Sequence, residues 1–151
     1  MRRKDRQLGL PETEKILAGG IYGVLSINGQ DDYAYGVPLS YVFTGGSIYM
    51  HSAVEGDKLT RLRRDNRVGF CVVGAAVPLV DTFCMQYESA MIFGTVHEVN
   101  GEEKSKALVL LARKYSTDEF IEKGRAYAAD SAHRTVVLRL DIEHISGKAR
   151  K

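Results

Sequence analysis

His51 and Lys58 stand in the stretch Ile48 to Asn66, IYMHSAVEGDKLTRLRRDN, where an alternating segment runs through a His-Ser-Ala turn into a basic helix. The first turn of a helix carries N–H groups without intrahelical partners and the positive end of the helix dipole, so it attracts phosphate. Lys58 adds a full positive charge at that point. Upstream, Ile48, Met50 and Ser52 alternate with Tyr49, His51 and Ala53, which predicts a strand that delivers Tyr49 and His51 to one face. His51 then leaves the strand beside the phosphate site. An unperturbed imidazole titrates near pH ~6.5 and can pass a proton to a reacting group. It can equally pack against a ligand and bond to backbone, and the residues leave both roles open. A surface turn followed by a solvated Lys/Arg run is the plainer reading of the same stretch.

The other chemistry-bearing side chains read as structural. Cys71 and Cys84 are the two cysteines, without Cys-x-x-Cys spacing, and are expected as buried thiols. His51, His97, His133 and His144 are scattered, so no metal site is expected. Glu88 and Glu143 have no spacing that would bring two carboxylates together. Arg61, Arg63, Arg64 and Arg67 alternate with Leu59 and Leu62, the pattern of a helix that buries one face and solvates the other. A net charge of +2, with Asp57, Asp65, Glu102 and Glu103 interleaved, argues against nucleic acid as a partner.

The elements that must hold these residues follow from periodicity. Residues 1–151 suffice for a single domain with a real core but not for separate cofactor and substrate domains, so a deep ligand site is expected to borrow a partner subunit. LPETEKILAGG (10–20) predicts a short helix, with Pro at its start and a Gly pair at its end. IYGVLSING and YAYGVPLSYVF predict a hairpin through the turn residues Asn28 to Asp32. Pro38 requires an edge or a bulge in the second strand. Thr44–Ser47 turns into the strand that carries His51, giving a meander of three strands. NRVGFCVVG (66–74) predicts a fourth strand, Ala75 to Asp81 an unusually apolar loop, and Thr82 to Val99 a long fifth strand that bends at Gly94. Ala107, Leu108, Leu111 and Tyr115 mark a core-facing helix, and residues 118–129 a second with Phe120, Ile121 and Tyr127 inward. Thr135 to Ile145 forms the sixth strand, followed by a basic tail. The charged start lacks the apolar centre of an export signal, and no apolar run is long enough for a bilayer, so a cytoplasmic protein with no membrane partner is expected. Six strands without βαβ rhythm argue for a mainly antiparallel α+β barrel whose ligand lies outside or at a subunit seam.

The series IYGVLSI, YGVPLSYVF, IYMHSAVEGDKLTRLRRDNRVGFCV, YESAMIFGTVHEV and ISGKAR resembles the FMN-binding split-barrel family related to pyridoxamine 5′-phosphate oxidase, and within it the nitroimidazole-resistance branch. HSAVEGDK is the strongest match. The resemblance implies a six-stranded antiparallel split β-barrel with peripheral helices, forming a homodimer with FMN in clefts between subunits. It implies that Val37, Pro38, Leu39 and Ser40 run alongside the flavin, that His51, Ser52 and Ala53 line its ring and ribityl, and that Lys58 meets the phosphate. Tyr87, Glu88 and Ser89 would close the cleft from the second subunit. The Arg-rich strand and the C-terminal Trp/Arg elements of the oxidase proper have no counterparts, so oxidation of vitamin B6 is not implied. The expected function is an FMN-dependent oxidoreductase acting on a small electron-poor compound such as a nitroaromatic, with His51 as the catalytic candidate. The alternative is a flavin- or haem-binding protein without turnover of its own.

Overall fold

A computed structural model describes residues 3–29 and 33–150. Eight strands lie in one antiparallel sheet: β1 (Gln7–Leu8), β2 (Gly23–Ile27), β3 (Tyr35–Leu39), β4 (Tyr41–Thr44), β5 (Ser47–Ala53), β6 (Arg67–Leu79), β7 (Cys84–Val99) and β8 (Thr135–Arg150). Their order is β3-β2-β6-β7-β8-β5-β4, with β1 added to β8. Four α-helices surround the sheet: α1 (Leu10–Gly19), α2 (Asp57–Arg64), α3 (Gly101–Lys114) and α4 (Ile121–Ser131). The α+β class with an antiparallel sheet and peripheral helices is as expected, while the strand count rises from six to eight and the sheet has two free edges.

The difference arises at Ser40. The segment YAYGVPLSYVF forms two strands rather than one, because Pro38 lacks an N–H and the chain bends directly after Leu39. β3 pairs with β2, and β4 pairs with β5, so the expected three-strand meander is replaced by two edges at opposite ends of the sheet, joined covalently at Ser40. The sheet itself is not closed, since β3 and β4 do not pair with one another. Pro38 does lie on an edge strand, opposite Val24. Of the hairpin turn Asn28–Asp32, residues 30–32 lie outside the described residues.

Curvature comes from two irregularities of register. Between Phe93 and Gly94 the β7–β8 pairing skips a residue, and a Cβ at Gly94 would collide with the Asp141 carbonyl oxygen, so only glycine fits. Between Val73 and Ala76 a second shift absorbs Gly74 and Ala75, after which pairing resumes through Leu79 and Cys84. The apolar segment expected as a loop is therefore mostly strand, since the length of β7 supplies it with a partner. Likewise the basic stretch after Ile145 is no tail: β8 runs to Arg150 and pairs with β7 as far as Tyr87.

The sheet encloses Leu25, Tyr41, Met50, Phe70, Ile92 and Leu138, all essentially inaccessible to solvent. α1 seals one end with Ile16 and Leu17, and the Tyr41 hydroxyl donates to the Leu17 carbonyl at 2.6 Å. A smaller cluster of Val99, Ala107, Leu108, Ala128 and Val137 lies on the outer face of the sheet, beneath α3 and α4. The inward face expected for α4 is wrong: Phe120 and Tyr127 are exposed, and the small residues Ala128 and Ser131 are buried instead. The helix approaches α3 closely, with Gly124 opposite Ala112.

Candidate functional site

β5 carries Ile48 and Met50 into the barrel and turns Tyr49 and His51 outward towards α3 and α4, as alternation requires. A polar brace fixes α3 over that outer face. The Tyr49 hydroxyl donates to Glu103 at 3.0 Å, and Arg139 spans Glu103 (2.9 Å) and Asp141 (2.8 Å). A second brace stands at the end of α3. The Tyr115 hydroxyl accepts the Tyr41 N–H at 2.8 Å and lies 2.6 Å from the Ile21 carbonyl and 2.8 Å from that of Tyr41, its single proton serving one carbonyl at a time.

Between these braces lies a cavity of about 540 Å³, within the range of small-molecule sites. Ser40 and His51 form its sheet side, Leu108 and Leu111 come from α3, and Ala128 and Arg134 come from α4 and the turn after it. The junction residue between the two sheet edges and the last outward residue of β5 thus meet in one space.

Lys58 is the second residue of α2, whose preceding Gly56 has φ +132°, a conformation that favours glycine. The first-turn amides are free of intrahelical partners, the earliest bond to this turn being Thr60 N–H to the Gly56 carbonyl. Asp57 is occupied by Arg61 at 2.8 Å, and Arg61 also lies over the Tyr35 ring. The Lys58 ammonium is half-buried and has no acidic or hydrogen-bonding partner among the described residues, and desolvation holds its pKa below the ordinary lysine value. His51 is likewise held below its ordinary value, first by desolvation and then by the positive charge of Lys58. The two groups therefore feel one another, and the imidazole is biased towards its neutral form.

The other sequence-derived candidates are placed as follows. Ser52 and Ala53 end β5, paired with Val136 and Thr135. Val37 and Leu39 pack against the core, leaving Pro38 and Ser40 exposed on the open edge. Tyr87, Glu88 and Ser89 sit on β7 opposite Arg150, Ala149 and Lys148, outside the walls of this cavity. Glu88 faces a different groove, beside Gly74 and the end of α1. Tyr87 accepts a 3.4 Å hydrogen bond from Arg6, and Lys148 lies over its ring. The tyrosine pKa is lowered there, chiefly by Lys148.

Tyr115 as a brace and Arg134 as a wall are not legible in the residue pattern, because a helical period marks a face and says nothing of a terminal hydroxyl or a turn. Neither cysteine is a fully buried thiol. Burial pushes Cys71 up, whereas the Arg150 guanidinium draws Cys84 down. Among the described residues, no group of three or more His, Cys, Asp or Glu could hold a metal ion, and no helix is long and apolar enough to cross a membrane.

The sequence profile of the pyridoxamine 5′-phosphate oxidase family matches residues 11–149. The chain belongs to this family. Its membership agrees with solved structures of similar fold. A candidate 5-nitroimidazole antibiotic resistance protein from Bacteroides thetaiotaomicron is 26% identical, with a TM-score of 0.81 over 94% of this chain and 85% of that one. An FAD-binding protein from Mesorhizobium loti is 22% identical, with a TM-score of 0.68 over 97% and 98%. An FAD- and haem-binding protein from Mycobacterium smegmatis is 17% identical, with a TM-score of 0.77 over 97% and 74%. No curated protein sequence matched the chain. As an oxidase-family member, this chain places its HSAVEGDK segment across the exit of β5 and the start of α2.

Proposed function

We propose that the chain is an FMN-dependent oxidoreductase of small electron-poor compounds, nitroaromatics among them, working as a homodimer in the cytoplasm. The observation that carries this reading is Lys58: a half-buried ammonium without a counter-ion among the described residues, at a helix start with free amides, beside the His51 imidazole. A lysine kept in that state is destabilised until an anion arrives, which a phosphate-bearing cofactor supplies. Family membership, and relatives described as flavin-binding, favour a flavin as that cofactor.

The donor set fits such a group. Lys58, the α2 amides and Ser52 would hold the phosphate end, and the exposed edge from Pro38 to Ser40 would run beside the ring. Bound flavin supplies hydride chemistry; the chain's contribution is orientation, exclusion of water and a hydrogen bond or proton from His51. Tyr87, Glu88 and Ser89 would reach the cofactor from the second subunit. Support for dimerisation comes from the β6–β7 hairpin, which exposes Val73, Val77, Val80, Phe83 and Met85 near those residues, an apolar surface of the kind that marks an interface.

Titration of the purified protein with FMN and with FAD, followed by flavin fluorescence, tests the reading. Saturable FMN binding that weakens in Lys58→Ala is expected, with bleaching by a nicotinamide donor and recovery on adding a nitroaromatic acceptor. Absence of flavin binding, or a haem spectrum in its place, overturns it and leaves the carrier reading.

A further inference from the structure

The cavity under α3 and α4 shares only Ser40 and His51 with the residues assigned to the cofactor; its other walls come from the two helices and the turns around them. Its chemistry is lopsided. Among the described residues, no aspartate, glutamate or lysine lines it. Among the described lining residues the one permanent charge is Arg134, at the solvent side. Its partner Asp130 stands at 3.8 Å, with both side chains more than half exposed, so that pair contributes little and leaves the guanidinium's donors for a ligand.

The remaining polar groups divide into occupied and available. Ser131 Oγ donates to the Tyr127 carbonyl at 2.7 Å, and Thr135 Oγ1 donates to the Ser131 carbonyl at 2.8 Å, so both serve the local turn. Ser40 and Ser116 line the cavity without a side-chain hydrogen-bond partner among the described residues. Leu108, Leu111, Ala112 and Ala128 make the intervening walls apolar. A guest would meet a fork of N–H donors from Arg134, largely apolar walls that include the Tyr115 and Tyr127 rings, and an imidazole at the sheet.

We propose that this cavity is the substrate subsite and that it selects a flat aromatic monocarboxylate, Arg134 receiving the carboxylate and His51 facing the ring. Arginine matches a carboxylate through two parallel N–H donors, whereas a neutral analogue of the same shape loses the charge-assisted component. Its role as a substrate subsite rests on the flavoprotein reading; the binding preference does not.

Calorimetric titration of the full chain with 4-nitrobenzoate and with 4-nitrobenzamide tests it. The carboxylate should bind at least about tenfold more tightly than the amide, and Arg134→Gln should erase that preference while Arg134→Lys keeps part of it. Arg134 is exposed, so these variants should keep the wild-type fold, which circular dichroism checks. Equal affinity for the two probes, binding of neither, or a preference that survives Arg134→Gln overturns the inference. FMN titration of the same samples separates the two claims. A carboxylate preference in a protein that binds no flavin overturns the flavoprotein reading and upholds this binding site, whereas flavin binding with no carboxylate preference overturns the subsite alone.

Discussion

Lys58 and Lys114 are two half-buried lysines in the same small domain, both pushed below the ordinary lysine pKa by desolvation, and they have opposite surroundings. The Lys114 ammonium is buried without a hydrogen-bond partner among the described residues, but it sits 3.9 Å from the centre of the Tyr41 ring and 5.6 Å from that of Tyr115. Its charge is met by aromatic faces inside the chain and by the C-terminal end of α3, where the helix dipole favours a cation. Among the described residues Lys58 has neither an aromatic face nor a carboxylate, and it stands at the helix end that repels a cation. The contrast separates a charge whose partner is built into the fold from one that the described residues leave unpartnered.

The largest effect that would sharpen this contrast is expected from Lys58→Met. Loss of a charge-assisted contact to phosphate should weaken FMN binding by about 10- to 100-fold, on the scale of such bonds. Without flavin the same variant should melt at or slightly above the wild-type temperature, because an uncompensated charge has been removed. A clear drop in melting temperature would show that Lys58 has a structural partner after all.

Next comes Tyr115→Phe, which cuts the brace between the end of α3, Ile21 and Tyr41. Leaving those backbone groups unpaired should cost about 1–3 kcal/mol, lowering the melting temperature by several degrees. Because this is the wall of the cavity and not the Lys58 corner, phosphate-end affinity for FMN should change far less than in Lys58→Met. Thermal melts and FMN titrations on the two variants, run side by side, measure that dissociation.

A smaller effect belongs to His51. Its folded-state pKa lies below the unfolded value, so its contribution to stability is complete above the unfolded pKa of about 6.5 and is lost as pH falls through the folded one. Wild-type protein should therefore lose more stability than His51→Gln as the pH is lowered from 7 to 5, as read by denaturant melts at each pH. Identical pH slopes would show that His51 is not desolvated in solution.

Lys114→Met should give the smallest change. The cation–π attraction of about 1–2 kcal/mol opposes the desolvation cost that methionine escapes, and the aliphatic stem is preserved. Melting temperature should move by no more than about 3 °C, with FMN affinity unchanged. A large loss of flavin binding here would erase the distinction between the two lysines.

Much of this arrangement was legible from residue order because it depends on local rules. Alternation in IYMHSA put His51 on the face opposite Ile48 and Met50, and the basic segment after it formed a helix with Leu59 and Leu62 buried. Pro38 marked an edge, and Gly94 marked the bend, since a missing N–H and a missing Cβ act at their own positions. The segments that misled were those whose state depends on distant partners. Residues 75–79 read as a loop until β7 proved long enough to pair with them, and residues 146–150 read as a tail until β7 claimed them too.

Period, capping and motif order, carried by neighbours in the chain, set most of the elements, the outward face of His51, the helix whose first turn holds Lys58, and the family. Only the tertiary structure decided that Ser40 joins opposite sheet edges, that Lys114 finds its partner in Tyr41 while Lys58 has none among the described residues, and that Tyr115 and Arg134 border the space beside His51. Those are contacts between segments dozens of residues apart, set by sheet order and curvature, and a local pattern holds no information about which distant group will fill the space next to it.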